Sequence, residues 1–457
     1  VAQRSKYTIR TSDRRVFRRC LRKWNFQSSI KGNWKSVGAE SNIHFWFGSA
    51  IHFAMEDFHG ENKFKDPRRA FWAYNQAFKA ADKPAGADSY YELGMAMLSY
   101  YMTWYPRHND VAGFETAYVD ADHHLVPKGT PGATVGVEQG FYIPLNVFAL
   151  VEVATDKILR TYWGKENIPE DYLQYLDVDE SFIGDSGIEL VLVPLMYHGT
   201  MDRIVIDRYG RYWILDYKTA KGADTNKLDT DDQISAYLWA FEQWYGVKAY
   251  GFVYLQLTKD PVKEPKRLKS GDLSIDKKQK TTYSLVKQEI IRDYGKVTNA
   301  PDKMIQFLNH MAEQESPEGD RFIRWDFVKR TPEQLVATGA NIVGELQQML
   351  NPNLYFYPSP TRDCMWDCPC RTLCLAMEMG DQDTVDNFML NFEQRPHNED
   401  GNIEPWRDDV PWPKEGEELI PLDSILMLDQ CMKIELESKA DDDDNGFTFM
   451  YESEEEC

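Results

Sequence analysis

One stretch constrains the fold more than any other: GTMDRIVIDRYGRYWILDYKTAK, Gly199 to Lys221. The run TMDRIVID alternates apolar and polar residues, RYGR has turn composition, and YWILDYK resumes an apolar run. This predicts two strands joined by a tight turn, and such strands pair antiparallel. Pairing brings Asp202 and Asp216 to the same end of a sheet, and Lys218, two residues past Asp216, points to the same face. A carboxylate in a strand that otherwise reads as buried is costly without a positive partner. Arg203, Lys218 or a metal ion could supply that charge.

The flanking sequence builds a core around this hairpin. IELVLVPL (188–195) predicts a strand before it. DTDDQISAYLWAFEQWYG has helical periodicity ending at Gly246, and KAYGFVYLQLT returns to strand. Upstream, a helix over Ile43 to Phe58 places Gly48, His52 and Glu56 on one face at i, i+4 and i+8. Residues 65–105 read as helical, 126–136 as a loop, 258–285 as an exposed hairpin or mobile loop, and 286–350 as helical. The order helix, three strands, helix, strand gives a mixed α/β class.

The net charge of −21 argues against a nucleic-acid partner until it is mapped. Leu375 to Cys457 holds 25 Asp and Glu against 5 Lys and Arg, a net of −20. Val1 to Lys35 holds 11 Lys and Arg against Asp13 alone. A basic head and an acidic tail are hidden in the total, and only the local balance bears on partners. The head, SDRRVFRRCLRKWNF, spaces Val16, Cys20, Leu21 and Trp24 as one helix, with Ser12 or Asp13 as N-cap. No run of about eighteen apolar residues marks a membrane span. The first residues lack a signal-peptide core, so a cytoplasmic location is expected, in the host if the gene is phage-borne. No GxxxxGK[ST] loop is present, so a motor would be a separate partner.

Two carboxylates and one ammonium at a sheet edge suit a hard divalent cation such as Mg²⁺ or Mn²⁺, which takes a few carboxylates, waters and phosphate oxygens. The chemistry that fits is phosphodiester hydrolysis. The alternative is a structural Asp–Lys ion pair in an ordinary hairpin.

The wider pattern resembles the RecB-like and AddB-like branch of the PD-(D/E)XK nucleases, as found in CRISPR-adaptation and phage-encoded exonucleases. The family's helix with G-x3-H is matched by Gly48 and His52, its G-x-x-D-R by Gly199 to Arg203, its D-Y-K-T by Asp216 to Thr219, and its Q-x3-Y by Gln233 and Tyr237. The resemblance implies a restriction-endonuclease-like core of αβββαβ order with added helices. It implies His52, Asp202, Asp216 and the Tyr217 main-chain carbonyl as ligands of Mg²⁺ or Mn²⁺. Lys218, Asp216 and Asp202 would be catalytic; Gln233, Tyr237 and Arg203 would support the site or the DNA. Glu56 and Glu180 read better as solvated acids than as accessory ligands.

Cys364, Cys368, Cys370 and Cys374 fall within eleven residues, and such clustering inside a cell argues for a metal. A zinc knuckle from these four alone is cramped, because one residue separates Cys368 from Cys370. The family resemblance implies a [4Fe–4S] cluster instead, with Cys20 as a distant ligand and Cys364, Cys368 and Cys374 as the near ones. Cys370 is the alternative ligand and zinc the alternative metal, while Cys431 and Cys457 read as plain residues.

The expected organisation is a basic helical segment at 1–42, a nuclease domain at 43–375 carrying the cysteines, and an acidic, largely disordered tail at 376–457. The expected activity is metal-dependent DNA exonuclease action on single strands or duplex ends. It would serve recombination, repair, phage DNA metabolism or CRISPR adaptation, alone or with a separate helicase or replication protein. The alternatives are a non-catalytic DNA clamp on a nuclease-like core and a zinc-stapled structural protein.

Overall fold

The computed structural model describes residues 8–28, 30–32, 34–36, 43–60, 66–77, 84–155, 157–176, 181–184, 186–222, 225, 228–365, 368–390 and 392–394. Glu180, Cys431, Cys457 and the acidic stretch from 395 onward lie outside the described residues.

The elements that position the site are α1 (Thr11–Arg19), α2 (Leu21–Gln27), α3 (Ile43–His59), α4 (Ala87–Ala112), β1 (Val137–Glu152), β2 (Lys157–Trp163), β3 (Glu189–Ile206), β4 (Tyr212–Ala220), α5 (Asp232–Tyr245), β5 (Gly251–Thr258), β6 (Ile323–Val328), α6 (Pro332–Met349) and α7 (Arg371–Met379). The main sheet runs β6-β5-β4-β3-β1-β2. All neighbours are antiparallel except β4 and β5, which are parallel with α5 as their crossover. The αβββαβ order is therefore α3, β1, β3, β4, α5, β5.

Several sequence expectations are corrected. The stretches 188–195 and 200–207 are not two strands but the single strand β3, which carries Pro194 through an irregularity between Pro194 and Met196. The first strand of the core is instead β1, which the sequence did not mark. A further strand, β6, interrupts the expected helical region at 286–350 and closes the sheet edge. The basic head is also two helices rather than one. Cys20 is extended, with φ −159° and ψ 111°, and its Sγ accepts from the Lys23 N–H that opens α2. The first helix is preceded by Arg10 and not by Ser12 or Asp13; Asp13 instead accepts from the Arg10 N–H at 3.1 Å.

Helices cover both faces of the sheet. On one side Phe17 and Trp24 from the head, Ile234, Leu238 and Phe241 from α5, and Ile342 and Leu346 from α6 pack on Ile204, Ile214 and Phe252. On the other, Phe47, Ile51 and Ala54 of α3 and Leu98, Tyr101 and Trp104 of α4 pack on Val205, Trp213, Leu215 and Tyr217. The switch from Trp213 to Ile214 to Leu215 is the period-two alternation of a strand buried on both faces.

The head is fixed by charge as well as by packing. Arg14, 1% exposed, pairs with Asp232 at 3.1 Å and Glu345 at 2.7 Å, joining α1 to α5 and α6. Arg18 reaches the same two carboxylates. Breaking a fully buried pair costs about 3–5 kcal/mol. Arg14→Ala should cost less, about 2 kcal/mol, because Arg18 remains beside both acids; urea unfolding of wild type and variant measures this, and an unchanged midpoint would contradict it.

Candidate active site

The site forms where β3 and β4 part. They pair over only four positions, Arg203 with Leu215 through Ile206 with Tyr212. Asp202 and Asp216 are the next positions in that register, at the root of the fork. Beyond it, the edge of β3 that β4 vacates is taken by Thr8–Arg10, which pairs in parallel with Met196 to His198. The parting strands leave the Tyr217 N–H without a strand partner on that side, and the Asp202 carboxylate accepts it at 2.9 Å. In an extended strand a residue's N–H and C=O lie on the same edge, so the Tyr217 carbonyl also faces the fork.

From the other layer α3 delivers His52, whose Nδ1 is 3.2 Å from Asp202 Oδ2. Glu138, at the start of β1, closes the group: His52, Glu138 and Asp202 each offer a ligand atom, all within 4.8 Å of one another. Glu138 holds a left-handed φ of 45°, a costly conformation for a residue with a side chain. Asp216 stands beside this trio rather than in it. Its carboxylate is 4% exposed, and its Oδ2 pairs with Lys218 Nζ at 3.2 Å.

Electrostatics tie these groups together. Burial lowers the His52 pKa, but the charge and hydrogen bond of Asp202, with Asp216 and Glu138 adding, outweigh it and lift it to about 9. Burial lifts Asp216 to about 6, with Lys218 opposing and Asp202 adding. For Asp202 burial also acts upward, yet His52, Lys218 and the Tyr217 N–H hold it below the usual carboxylate range. Asp216 raises Lys218 against the effect of burial, so the lysine stays an ammonium. Two acids whose environments push them apart are the mark of a functional cluster.

A cleft of about 360 Å³ opens beside Lys218 and is walled by Arg10, Arg15, Gly199, Gln233 and Tyr237. Gln233 and Tyr237 lie one turn apart on α5, and the Gln233 Oε1 accepts from Arg15 at 2.8 Å. Gly199 is required here: a Cβ would lie 2.5 Å from the Phe141 ring and 3.3 Å from Thr11. Arg203 is not brought to the cleft. It is 3% exposed and donates to Thr116 Oγ1 at 2.9 Å and Tyr105 at 3.3 Å, in the opposite layer.

A family model described as the PD-(D/E)XK nuclease superfamily matches residues 11–375. The chain belongs to the PD-(D/E)XK nuclease superfamily. Membership supports phosphodiester hydrolysis as the reaction class and DNA as the substrate class. No curated protein matches the chain significantly. Among the described residues of this superfamily member, no helix is long and apolar enough to cross a membrane.

In this superfamily member Cys20 caps α2, and Cys374 of α7 meets that helix through Arg22. Cys370 is 2% exposed; a hydrogen bond with Cys368, then burial, push its thiol pKa up, and the charges of Cys368 and Cys20 add to the effect. Cys374 Sγ accepts from Arg22 at 3.4 Å, and Arg22 also pairs with Glu378 at 2.6 Å. Cys364 Sγ accepts from the Thr361 N–H at 3.4 Å. Cys20 thus lies near enough to Cys370 for its charge to act on that thiol.

Glu138 is the residue that sequence reasoning missed. Its signal was the alternation of Phe141, Ile143 and Leu145 just after it, which marks β1 as a strand and Glu138 as an acid at its start. Because φ is left-handed at Glu138, glycine suits the backbone better. Glu138→Gly should leave the metal-free protein as stable as wild type or about 1 kcal/mol more stable, read by thermal unfolding in EDTA; a loss above that size would show that the carboxylate stabilises the fold.

Proposed function

We propose that the chain is a divalent-metal-dependent DNA exonuclease acting on single strands or duplex ends, in recombination, repair, phage DNA metabolism or CRISPR adaptation. The observation that carries this reading is the convergence of His52, Glu138 and Asp202 beside the Asp216–Lys218 pair at the root of a basic cleft. The donor set fits Mg²⁺ or Mn²⁺: carboxylate oxygens with one imidazole, gathered within 4.8 Å of one another, beside the buried Asp216 carboxylate. His52, Glu138, Asp202 and Asp216 would hold the ion, with the Tyr217 carbonyl on the same edge.

When bound, the ion supplies Lewis acidity to the phosphodiester and to the attacking water. Lys218, held as a cation by Asp216, offsets charge developing on the phosphate and orients the water. Gln233 and Tyr237 position the strand or the lysine from α5. A separate helicase or replication protein is a fitting partner for a chain without a motor motif.

A [4Fe–4S] cluster on Cys20, Cys364, Cys368 and Cys374 completes the proposal, with Cys370 the alternative ligand. A cluster that joined Cys20 to the 364–374 group would act as a clip and restrict the unfolded chain across a long loop. Cys20→Ala should then lose iron and visible absorbance together; a variant that retains full iron would remove the clip.

The nuclease reading is tested with end-labelled DNA, single- and double-stranded, linear and circular, in Mg²⁺ and in Mn²⁺. Asp216→Asn and Lys218→Ala should each lower cleavage at least ~100-fold with an unchanged fold. Undiminished cleavage by both would remove the site, and wild-type binding without cleavage would favour a non-catalytic clamp.

A further inference from the structure

Of the arginines in the basic head, Arg14, Arg18 and Arg22 are committed to Asp232, Glu345 and Glu378. Arg10 and Arg15 are not. Both line the cleft beside Lys218, and neither makes an ion pair among the described residues. Arg15 is exposed and its contact is the neutral Gln233. Arg10 Nε is buried and has no hydrogen-bond partner among the described residues. An unsatisfied buried donor on a guanidinium is costly, and an anion in the cleft would satisfy it.

The cleft wall sharpens the point. It carries two arginines and a lysine but no carboxylate, in a chain whose net charge is −21. The acids lie at its root, in the trio and in Asp216. A cleft of about 360 Å³ lies at the low end of the ~300–1,000 Å³ typical of small-ligand sites. A space of this size accommodates a single nucleotide. The fork between β4 and the Thr8–Arg10 strand opens onto this cleft, and an unpaired nucleotide entering it would bring its phosphodiester toward Asp202 and Asp216.

We infer that Arg10 and Arg15 form a phosphate clamp that holds the neighbouring phosphates of an unpaired DNA strand beside the catalytic carboxylates. The inference rests on the nuclease reading for the identity of the ligand, and it narrows the substrate at the point of cleavage to a single strand. Arg10, fixed in the strand that pairs with β3, supplies the inner contact. Arg15, a turn further along α1 and braced by Gln233, supplies the outer one. A guanidinium suits this work because its planar fork matches two phosphate oxygens at once.

The test is fluorescence anisotropy of a labelled thymidine oligonucleotide with the full-length protein in EDTA, over a range of salt concentrations. Binding there requires no catalysis. Each phosphate contact on a single strand contributes about 0.7 to the slope of log affinity against log salt. The double variant Arg10→Ala/Arg15→Ala should bind at least ~10-fold more weakly, with the slope reduced by about 1.4. Arg10→Lys/Arg15→Lys should keep the wild-type slope while binding more weakly, which loss of folding would not produce. An alanine variant with the wild-type slope and affinity would overturn the clamp, as would equal affinity of the wild type for a closed circular duplex. Arginine-dependent binding without cleavage in Mg²⁺ or Mn²⁺ would support the clamp and defeat the nuclease reading. Cleavage with arginine-independent binding would defeat the clamp alone.

Discussion

The site depends on the early separation of β3 from β4. Had the two strands stayed paired past Leu215, the ladder would have consumed the backbone groups of Tyr217 and packed Asp202 and Asp216 against each other. Parting after four pairs leaves the Tyr217 N–H to the Asp202 carboxylate and turns the Tyr217 carbonyl toward the opening. β4 stays paired with the parallel β5 from Trp213 to Ala220 while it leaves β3. The short Thr8–Arg10 strand covers the edge that β3 would otherwise expose.

Charge follows from that geometry. Asp202 and Asp216 sit at the same level of a sheet whose faces are covered by helices, so their repulsion is poorly screened. The protein meets this locally with His52 against Asp202 and Lys218 against Asp216. Glu138, held in a strained backbone, brings a further carboxylate toward the first pair. Three acids for one imidazole and one ammonium is a poor arrangement for stability and a suitable one for a divalent cation. Arg203, the nearest cation in sequence, is turned into the other layer and holds Thr116 and Tyr105.

Local periodicity made much of this legible. The turn between β3 and β4, the end of α5 at Gly246 with φ 67°, and β5 all follow from signals within a few residues. Asp202 and Lys218 were readable from their spacing on adjacent strands, whereas His52 stood out only through the family resemblance. Other features were hidden for identifiable reasons. The strand read at 188–195 and the one at 200–207 are continuous, because β3 runs on through an irregularity between Pro194 and Met196. Helical spacing runs unbroken through Cys20, but the chain is extended there. The partners of Arg14 and Arg18 lie on α5 and α6, so no local pattern could separate those arginines from Arg10 and Arg15. Glu138 was missed because its strand was read as neither strand nor helix.

The most direct measurement is anomalous diffraction from a crystal soaked in Mn²⁺. The account predicts a peak among His52, Glu138 and Asp202, with the Asp216 carboxylate turned toward it and ligand distances of about 2.0–2.3 Å. A crystal that shows no peak there, with the His52–Asp202 contact intact and Asp216 still on Lys218, would contradict it.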